Sequence, residues 1–247
     1  MSYKALLAAA LVATILGGAA MADAILPTGL APGSQYQILF VTTNGTTATS
    51  SNIADYNSFV TQEANHNLTL QSLGATWTAV ASTATINANQ ASNTTNIPIY
   101  DTQGNLLEPN FPSLFTDTSF LGPEYDQQGN CPWTPGAWQG ETVWTGSWLD
   151  GTAQGFYMGG MGYPGYGYNV QVGYDGRQVQ GGIPCWICER SGAGWGETEP
   201  TTYTNPLYAI SSPITVPVPE PGTLTLLVSE LLGLAGAVYL RRRRAKV

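Results

Sequence analysis

Three cysteines are the residues of this 247-residue chain whose type and spacing most directly suggest chemistry. Cys185 and Cys188 are separated by two residues, the spacing found in redox and metal sites. Together with Cys131 and His66 they could complete a zinc site with three Cys ligands and one His. In an oxidising compartment, Cys131 would instead form a structural disulfide with either partner, and one thiol would be left over. We expect the disulfide, and the alternatives are unpaired or locally bridged thiols, a metal site and redox catalysis.

The rest of the chain offers few catalytic groups. Residues 23–217 contain no lysine, one histidine (His66) and two arginines (Arg177 and Arg190). Mechanisms that depend on a histidine base or a lysine amine therefore lack their usual group, and the polar sequence around His66 predicts a surface position. Two carboxylates could still cleave a glycosidic bond, but no local spacing marks such a pair. We therefore do not expect an enzyme, and a carboxylate-dependent glycan hydrolase is the least favoured function.

Acidic residues dominate the same segment. Residues 23–217 carry fourteen Asp and Glu, which excludes nucleic acid as a partner because phosphate binding needs clustered Lys and Arg. This charge suits divalent cations, and Asp150 and Asp175, together with Asp117 and Asp126, could supply oxygen ligands to calcium. None of them has the spacing of a dedicated calcium loop, so we predict turn-forming roles and no dedicated metal site. We therefore expect no cofactor, with calcium as the alternative.

Aromatic side chains are frequent in the second half of the chain, where several alternate with glycine. Aromatic rings stack on sugar faces, although Trp and Tyr more often pack in cores and loops. The residues that could form a ligand surface are Trp148, Tyr163, Tyr166, Tyr168, Trp186 and Trp195.

Short apolar runs separated by polar loops predict an α+β domain. Residues 36–42 form the clearest strand, and a helical period begins after an N-cap at Ser51 or Asn52. Further strands are predicted at 77–82, 97–100, 142–151 and 207–211. We place the strand at 97–100 on a sheet edge because Pro98 cannot donate to a ladder.

The strand at 142–151 ends in an Asp150-Gly151 turn, and the Gly- and Tyr-rich residues 155–176 are predicted to form a long structured loop. The helical face consists of Ile53, Tyr56, Phe59, Val60 and Ala64.

The first residues of the chain have the pattern of a secretory signal peptide. Lys4 supplies the positive charge, residues 5–20 are apolar, and Ala20-Met21-Ala22 is a small-residue cleavage site. We therefore predict a signal peptide at 1–22 and export of the mature chain.

The last thirty residues combine three signals in a fixed order. Val218-Pro219-Glu220-Pro221 precedes an apolar run over 222–240 that is long enough for a transmembrane helix. Arg241, Arg242, Arg243 and Arg244 follow in the basic tail 241–247, which would hold this end on the cytoplasmic side. Glu230 makes the span marginal, as suits a transient anchor. This order resembles the PEP-CTERM sorting signal of exported bacterial proteins.

The PEP-CTERM resemblance implies a processing route. The tail would anchor the chain transiently in the inner membrane, and an exosortase-type membrane protease would cut near the Pro-Glu-Pro. The remainder would reach the cell surface or the extracellular matrix. A plain C-terminal anchor is the alternative interpretation of the tail.

The order of elements in residues 23–212 resembles the C-type lectin-like fold. Its anchors are Val143-Trp144-Thr145-Gly146 on a central strand and residues 207–211 on the closing strand. This resemblance implies a single α+β domain with small antiparallel sheets, one or two helices and long loops, followed by a Pro-rich linker at 213–221. Glu108-Pro109-Asn110 is a tripeptide of calcium-dependent sugar-binding lectins, but here it precedes the central strand, so we interpret it as coincidence.

The expected function follows from these two resemblances. We expect an exported structural or binding component of an exopolysaccharide or biofilm layer, with polysaccharide as a candidate partner. A calcium-assisted carbohydrate-binding module is the alternative.

Overall fold

The larger of two β-sheets is built around one strand that is apolar on both faces. The computed structural model describes residues 27–117, 119–131, 142–160, 169–174, 186–187 and 198–218. The strand β1 runs over Gln35–Val41, which confirms the prediction from the apolar run. Its residues enter two cores in alternation, with Tyr36, Ile38 and Phe40 in one and Leu39 and Val41 in the other. Since side chains alternate across a strand, this sheet has a core on each face.

Two helices follow β1 and cover the first of these cores. Helix α1 runs over Ile53–Asn65, and its buried residues include Tyr56 and Val60, as the helical period predicted. Asn52 is the N-cap, and its side-chain oxygen accepts a hydrogen bond from the N–H of Ala54. Helix α2 is shorter, covers Leu68–Ser72 and buries Leu70. A third α-helix, α3, covers Ser113–Thr116, and a 3-10 helix covers Ala88–Gln90, so the described residues contain more helices than the one or two predicted.

The larger sheet is mixed. Its remaining strands are β2 (Trp77–Ala79), β3 (Ile99–Tyr100), β4 (Leu106–Glu108), β8 (Tyr208–Ser211) and β9 (Ile214–Thr215). The strand order is β2-β8-β1-β3-β4, and β9 pairs with the start of β1. Most pairs are antiparallel, as predicted, but β1 and β3 are parallel.

The predicted edge position of the strand around Pro98 is wrong. Strand β3 lies between β1 and β4, in the interior of the sheet. Pro98 precedes the strand, and its carbonyl accepts a hydrogen bond from the N–H of Gln37 at 2.9 Å. Proline lacks the N–H donor but keeps its carbonyl acceptor. Because the pairing uses that carbonyl, the missing N–H costs this strand no hydrogen bond in the sheet.

A second sheet of three strands contains the predicted central strand. It has the order β5-β6-β7, where β5 is Thr142–Trp144, β6 is Asn169–Tyr174 and β7 is Thr198–Pro200. The prediction of a continuous loop over 155–176 is therefore wrong at β6, which pairs antiparallel on both sides. The glycines of this region predicted turns. The strand β6 was missed because its pairing partners, β5 and β7, are distant in sequence.

Gly146 shows why a glycine follows Val143-Trp144-Thr145. Its φ is +60°, a backbone conformation that residues with a side chain rarely adopt. A Cβ added at Gly146 would also lie 2.7 Å from the carbonyl oxygen of Ser82. The Asp150-Gly151 turn is confirmed as well, since Gly151 has a φ of +75° and its N–H donates to the Trp148 carbonyl.

The end of the described chain belongs to the sheet. Strand β9 lies inside the predicted linker 213–221, so the linker prediction is wrong for its first residues. In the part of the chain that the structure describes, no helix is long and apolar enough to span a bilayer. The predicted signal peptide at 1–22 and the predicted transmembrane helix at 222–240 lie outside that part. The described residues form one α+β domain.

Candidate functional site

A cleft of about 430 Å³ lies beside the edge strand β4, at the opposite edge of the larger sheet from β2. Four carboxylates line it, and the described lining residues include no Lys, Arg or His. The apolar part of the lining includes Leu106, which is 57 % exposed, and two aromatic rings. Its principal lining residues are Asp101, Leu106, Leu107, Glu108, Asp117, Phe120, Leu121, Glu124 and Tyr125.

Glu108 and Asp117 form a carboxyl pair in this cleft. Both side chains line the cleft, and each contributes to the pKa shift of the other. Burial, and then the charge of Asp117, raises the pKa of Glu108. Hydrogen bonds from the hydroxyl and N–H of Ser119 lower the pKa of Asp117. The pKa values of the two carboxyls are therefore shifted in opposite directions, that of Glu108 upward and that of Asp117 downward.

No local sequence pattern indicates this pair, because its members come from different elements. Glu108 ends β4, and Asp117 follows α3.

The Glu-Pro-Asn tripeptide has a structural role at the same place. The side-chain oxygen of Asn110 accepts hydrogen bonds from the N–H and the hydroxyl of Ser113, at the start of α3. This oxygen is therefore engaged in a local hydrogen-bonded turn just before α3, whose N-cap is Pro112. Glu108 contributes to the carboxyl pair.

The aspartates predicted to form turns do so in the described residues. Asp150 accepts hydrogen bonds from the N–H and the hydroxyl of Thr152, and Asp117 does the same from Ser119. Within the described ranges, no group of three or more His, Cys, Asp and Glu side chains is arranged to hold a metal ion. Asp175 lies outside these ranges.

A repeat that the sequence analysis missed forms two matching loops. Residues 101–105 read Asp-Thr-Gln-Gly-Asn, and residues 126–130 read Asp-Gln-Gln-Gly-Asn. In each loop the aspartate oxygen accepts the N–H groups of the third and fifth residues at 2.8 Å. The loops contact each other, since the hydroxyl of Thr102 donates to the carbonyl of Asp126. Comparing the two pentapeptides would have revealed this pair from sequence alone.

The buried carboxylates of this region are held by neutral donors. Glu63 is 3 % exposed and accepts hydrogen bonds from the backbone and side-chain N–H groups of Asn44 and from the amide of Gln127. His66 is exposed, as predicted, and its Nδ1 lies 3.4 Å from Glu63 Oε1. Asp126 also accepts from the hydroxyl of Thr43.

The structure separates the residues predicted to form a ligand surface into exposed and buried ones. Trp148 is 47 % exposed next to the Asp150-Gly151 turn, which suits a ligand contact. Trp186 is 1 % exposed, and its prediction as a ligand residue is wrong. Its ring packs against Phe115, Phe120 and Tyr208, because a large apolar ring gains most from complete burial. Tyr163, Tyr166, Tyr168 and Trp195 lie outside the described residues.

The two residues between Cys185 and Cys188 are anchored in the domain core. The indole N–H of Trp186 donates to the carbonyl of Leu114 at 3.0 Å. The Trp186 carbonyl accepts from the hydroxyl of Tyr208, and the Ile187 carbonyl accepts from the hydroxyl of Thr145. Cys131 is half-buried, whereas Cys185 and Cys188 lie outside the described residues, so the disulfide stays a prediction.

Comparisons with known proteins give no family for this chain. No protein-family description matches it, and no curated protein is significantly similar to it. The residues of the predicted sorting signal, from Pro219 to Arg244, lie outside the described part of the chain.

Proposed function

We propose that this chain is an exported bacterial protein that is sorted through its C-terminal tail and released by an exosortase-type protease. Its domain then serves as a structural or binding component of an extracellular polysaccharide layer. The observation that carries the proposal is the order of signals after Val218: Pro-Glu-Pro, an apolar run and four arginines. The secretory signal pattern at the other end of the sequence supports the same route.

The layout of the described domain supports the resemblance to C-type lectin-like folds. The first strand, β1, pairs antiparallel with the closing strand β8, and two helices lie between β1 and β2. The long excursion between β2 and β8 contains β5, which carries the Val143-Trp144 anchor. The fold in the proposal is accordingly a lectin-like domain with a central loop region.

Binding to polysaccharide is the second part of the proposal, and Trp148 is the residue that favours it. An indole that stays 47 % exposed on a hydrogen-bonded turn offers a flat apolar face at low entropic cost. The side chain of Asn89 donates to the carbonyl of Asp150 and fixes the base of that turn. Sugar rings stack on exposed faces of this kind.

The sorting proposal is tested with the full chain in a host that contains the protease. Intact mass of the released protein should show removal of residues 1–22 and a new C-terminus near Pro219. Glu220→Ala should leave the uncut chain in the membrane fraction. Glu124→Ala, which removes an exposed carboxylate of the domain, is the matched control and should be processed normally. Equal processing of both variants would refute the proposal.

The binding proposal is tested on the released domain. Retention on the exopolysaccharide of the host should fall at least fivefold in Trp148→Ala. Adding and chelating calcium then distinguishes the calcium-assisted alternative, since a ligand that binds only the folded state raises the melting temperature. Retention that is unchanged in Trp148→Ala would reject this residue as the contact.

A further inference from the structure

The C-terminal end of the folded domain is fastened to its N-terminal end. In the pairing of β9 with β1, Thr215 lies opposite Gln35 and Ile214 lies opposite Tyr36. The contact extends one residue further, because the N–H of Val216 donates to the carbonyl of Ser34 at 2.8 Å. The Val216 carbonyl accepts from the N–H of Gly33 at 3.0 Å. We call residues 214–216 the strap.

Two buried side chains anchor the strap. Ile214 is 7 % exposed and Val216 is 8 % exposed, and both belong to the core that also contains Tyr36. Thr215, between them, is exposed. Val218 is already 64 % exposed, so the buried part of this segment ends at Val216.

The strap lies very close in sequence to the predicted cleavage site. Only Pro217 and Val218 separate Val216 from Pro219-Glu220-Pro221. Two extended residues span about 7 Å, since each contributes at most about 3.3–3.6 Å. A protease that binds its substrate as an added extended strand pairs with the N–H and C=O groups of residues on both sides of the cut bond. On the N-terminal side, those residues belong to the strap, and their backbone groups are paired with the domain.

We infer that the strap gates the processing of the tail: the protease cuts the chain only while residues 214–216 are detached from β1. This inference rests on the proposed function. Detachment leaves the strands β2-β8-β1-β3-β4 paired, because β9 pairs with β1 alone and only at its first two residues. Short terminal segments of this kind open locally far more often than a core unfolds. The cleavage rate then follows the population of the open strap.

The gate predicts how small changes in the buried side chains of the strap alter the cleavage rate. Val216→Ala removes two buried methyl groups and should raise the open population, and with it the initial cleavage rate, by about tenfold. Thr215→Ala changes the same strand on its exposed side and should leave the rate unchanged. A six-residue Gly-Ser insertion after Val218 should accelerate cleavage, and Val216→Ala should have no further effect in that background.

The experiment follows processing of the full chain by pulse-chase in a host that contains the protease. Hydrogen exchange of the released domain gives a second readout. In the Ile214→Ala variant, the backbone amide of Val216 should exchange about tenfold faster than it does in the wild type. If the wild type is processed but neither Val216→Ala nor the insertion changes the rate, the gate is overturned. If the wild type is not processed, or Glu220→Ala is processed equally, the sorting proposal itself fails and the gate fails with it.

Discussion

Trp186 and Trp148 provide the sharpest test of the described structure, because both were predicted from the sequence to contact a ligand. Trp186 is 1 % exposed, contacts three aromatic rings and donates to the carbonyl of Leu114. Its replacement by alanine removes the largest ring of this core, which costs about 3–5 kcal/mol. Trp186→Phe keeps an aromatic ring and leaves the Leu114 carbonyl without its donor, which costs about 1–3 kcal/mol. Trp148→Ala, at an exposed position, should cost no more than about 0.5 kcal/mol.

The assay is urea unfolding of the released domain with a parallel thermal melt. For a domain of this size, about 1 kcal/mol corresponds to 2–4 °C, so Trp186→Ala should lower the melting temperature by roughly 6–20 °C. Trp148→Ala should melt with the wild type while it loses polysaccharide retention. A Trp186→Ala variant that melts like the wild type and loses retention would show that the packing described around this residue is wrong.

Three further predictions concern strain, capping and pH. Gly159→Ala should destabilise the domain by at least about 2 kcal/mol in urea, since Gly159 has a φ of +70° and its Cβ would lie 2.3 Å from the Ser50 carbonyl; an unchanged urea midpoint would contradict this. Asn67→Ala should cost about 1–2 kcal/mol in the same assay, because the Asn67 oxygen caps two N–H groups of α2, and Asn67→Ser should recover most of it. As the pH rises, Glu108 loses its proton at a lower pH in the unfolded chain than in the folded domain, because the fold raises its pKa. Its contribution to stability therefore falls as the pH rises from about 4 through the raised pKa, and Glu108→Gln should remove that step from urea midpoints measured against pH. The step persisting in Glu108→Gln would rule out this assignment.

Local patterns predicted the elements that depend on local physics. Strand β1 and helix α1 were predicted close to their observed bounds, since an apolar run and a 3.6-residue period are properties of neighbouring residues. The interior position of β3 and the strand β6 depend on partners far along the chain, so composition misled in both cases.

The candidate site was less predictable than the fold for the same reason. Glu108 ends β4 and Asp117 follows α3, and no spacing rule brings residues of these two elements together. Trp148 and Trp186 were given the same role from their residue type, and the packing of Trp186 against Phe115, Phe120 and Tyr208 separates them. The matching loops at 101–105 and 126–130 were visible in the sequence and could have been predicted.

The neutral donors around the buried carboxylates also determine how this domain responds to ionic strength. Dissolved ions screen exposed charges beyond a Debye length of about 3 Å at 1 M salt, but they do not enter a buried hydrogen-bond network. Glu63 and Asp126 accept from amides, hydroxyls and backbone N–H groups, so concentrated salt has no buried Lys or Arg pairing to weaken at these two positions. The same salt would damp the mutual repulsion of the acidic surface. The free energy of unfolding of this domain should therefore rise with salt concentration. The domain should stay folded as its surroundings change from fresh water to brine or begin to dry.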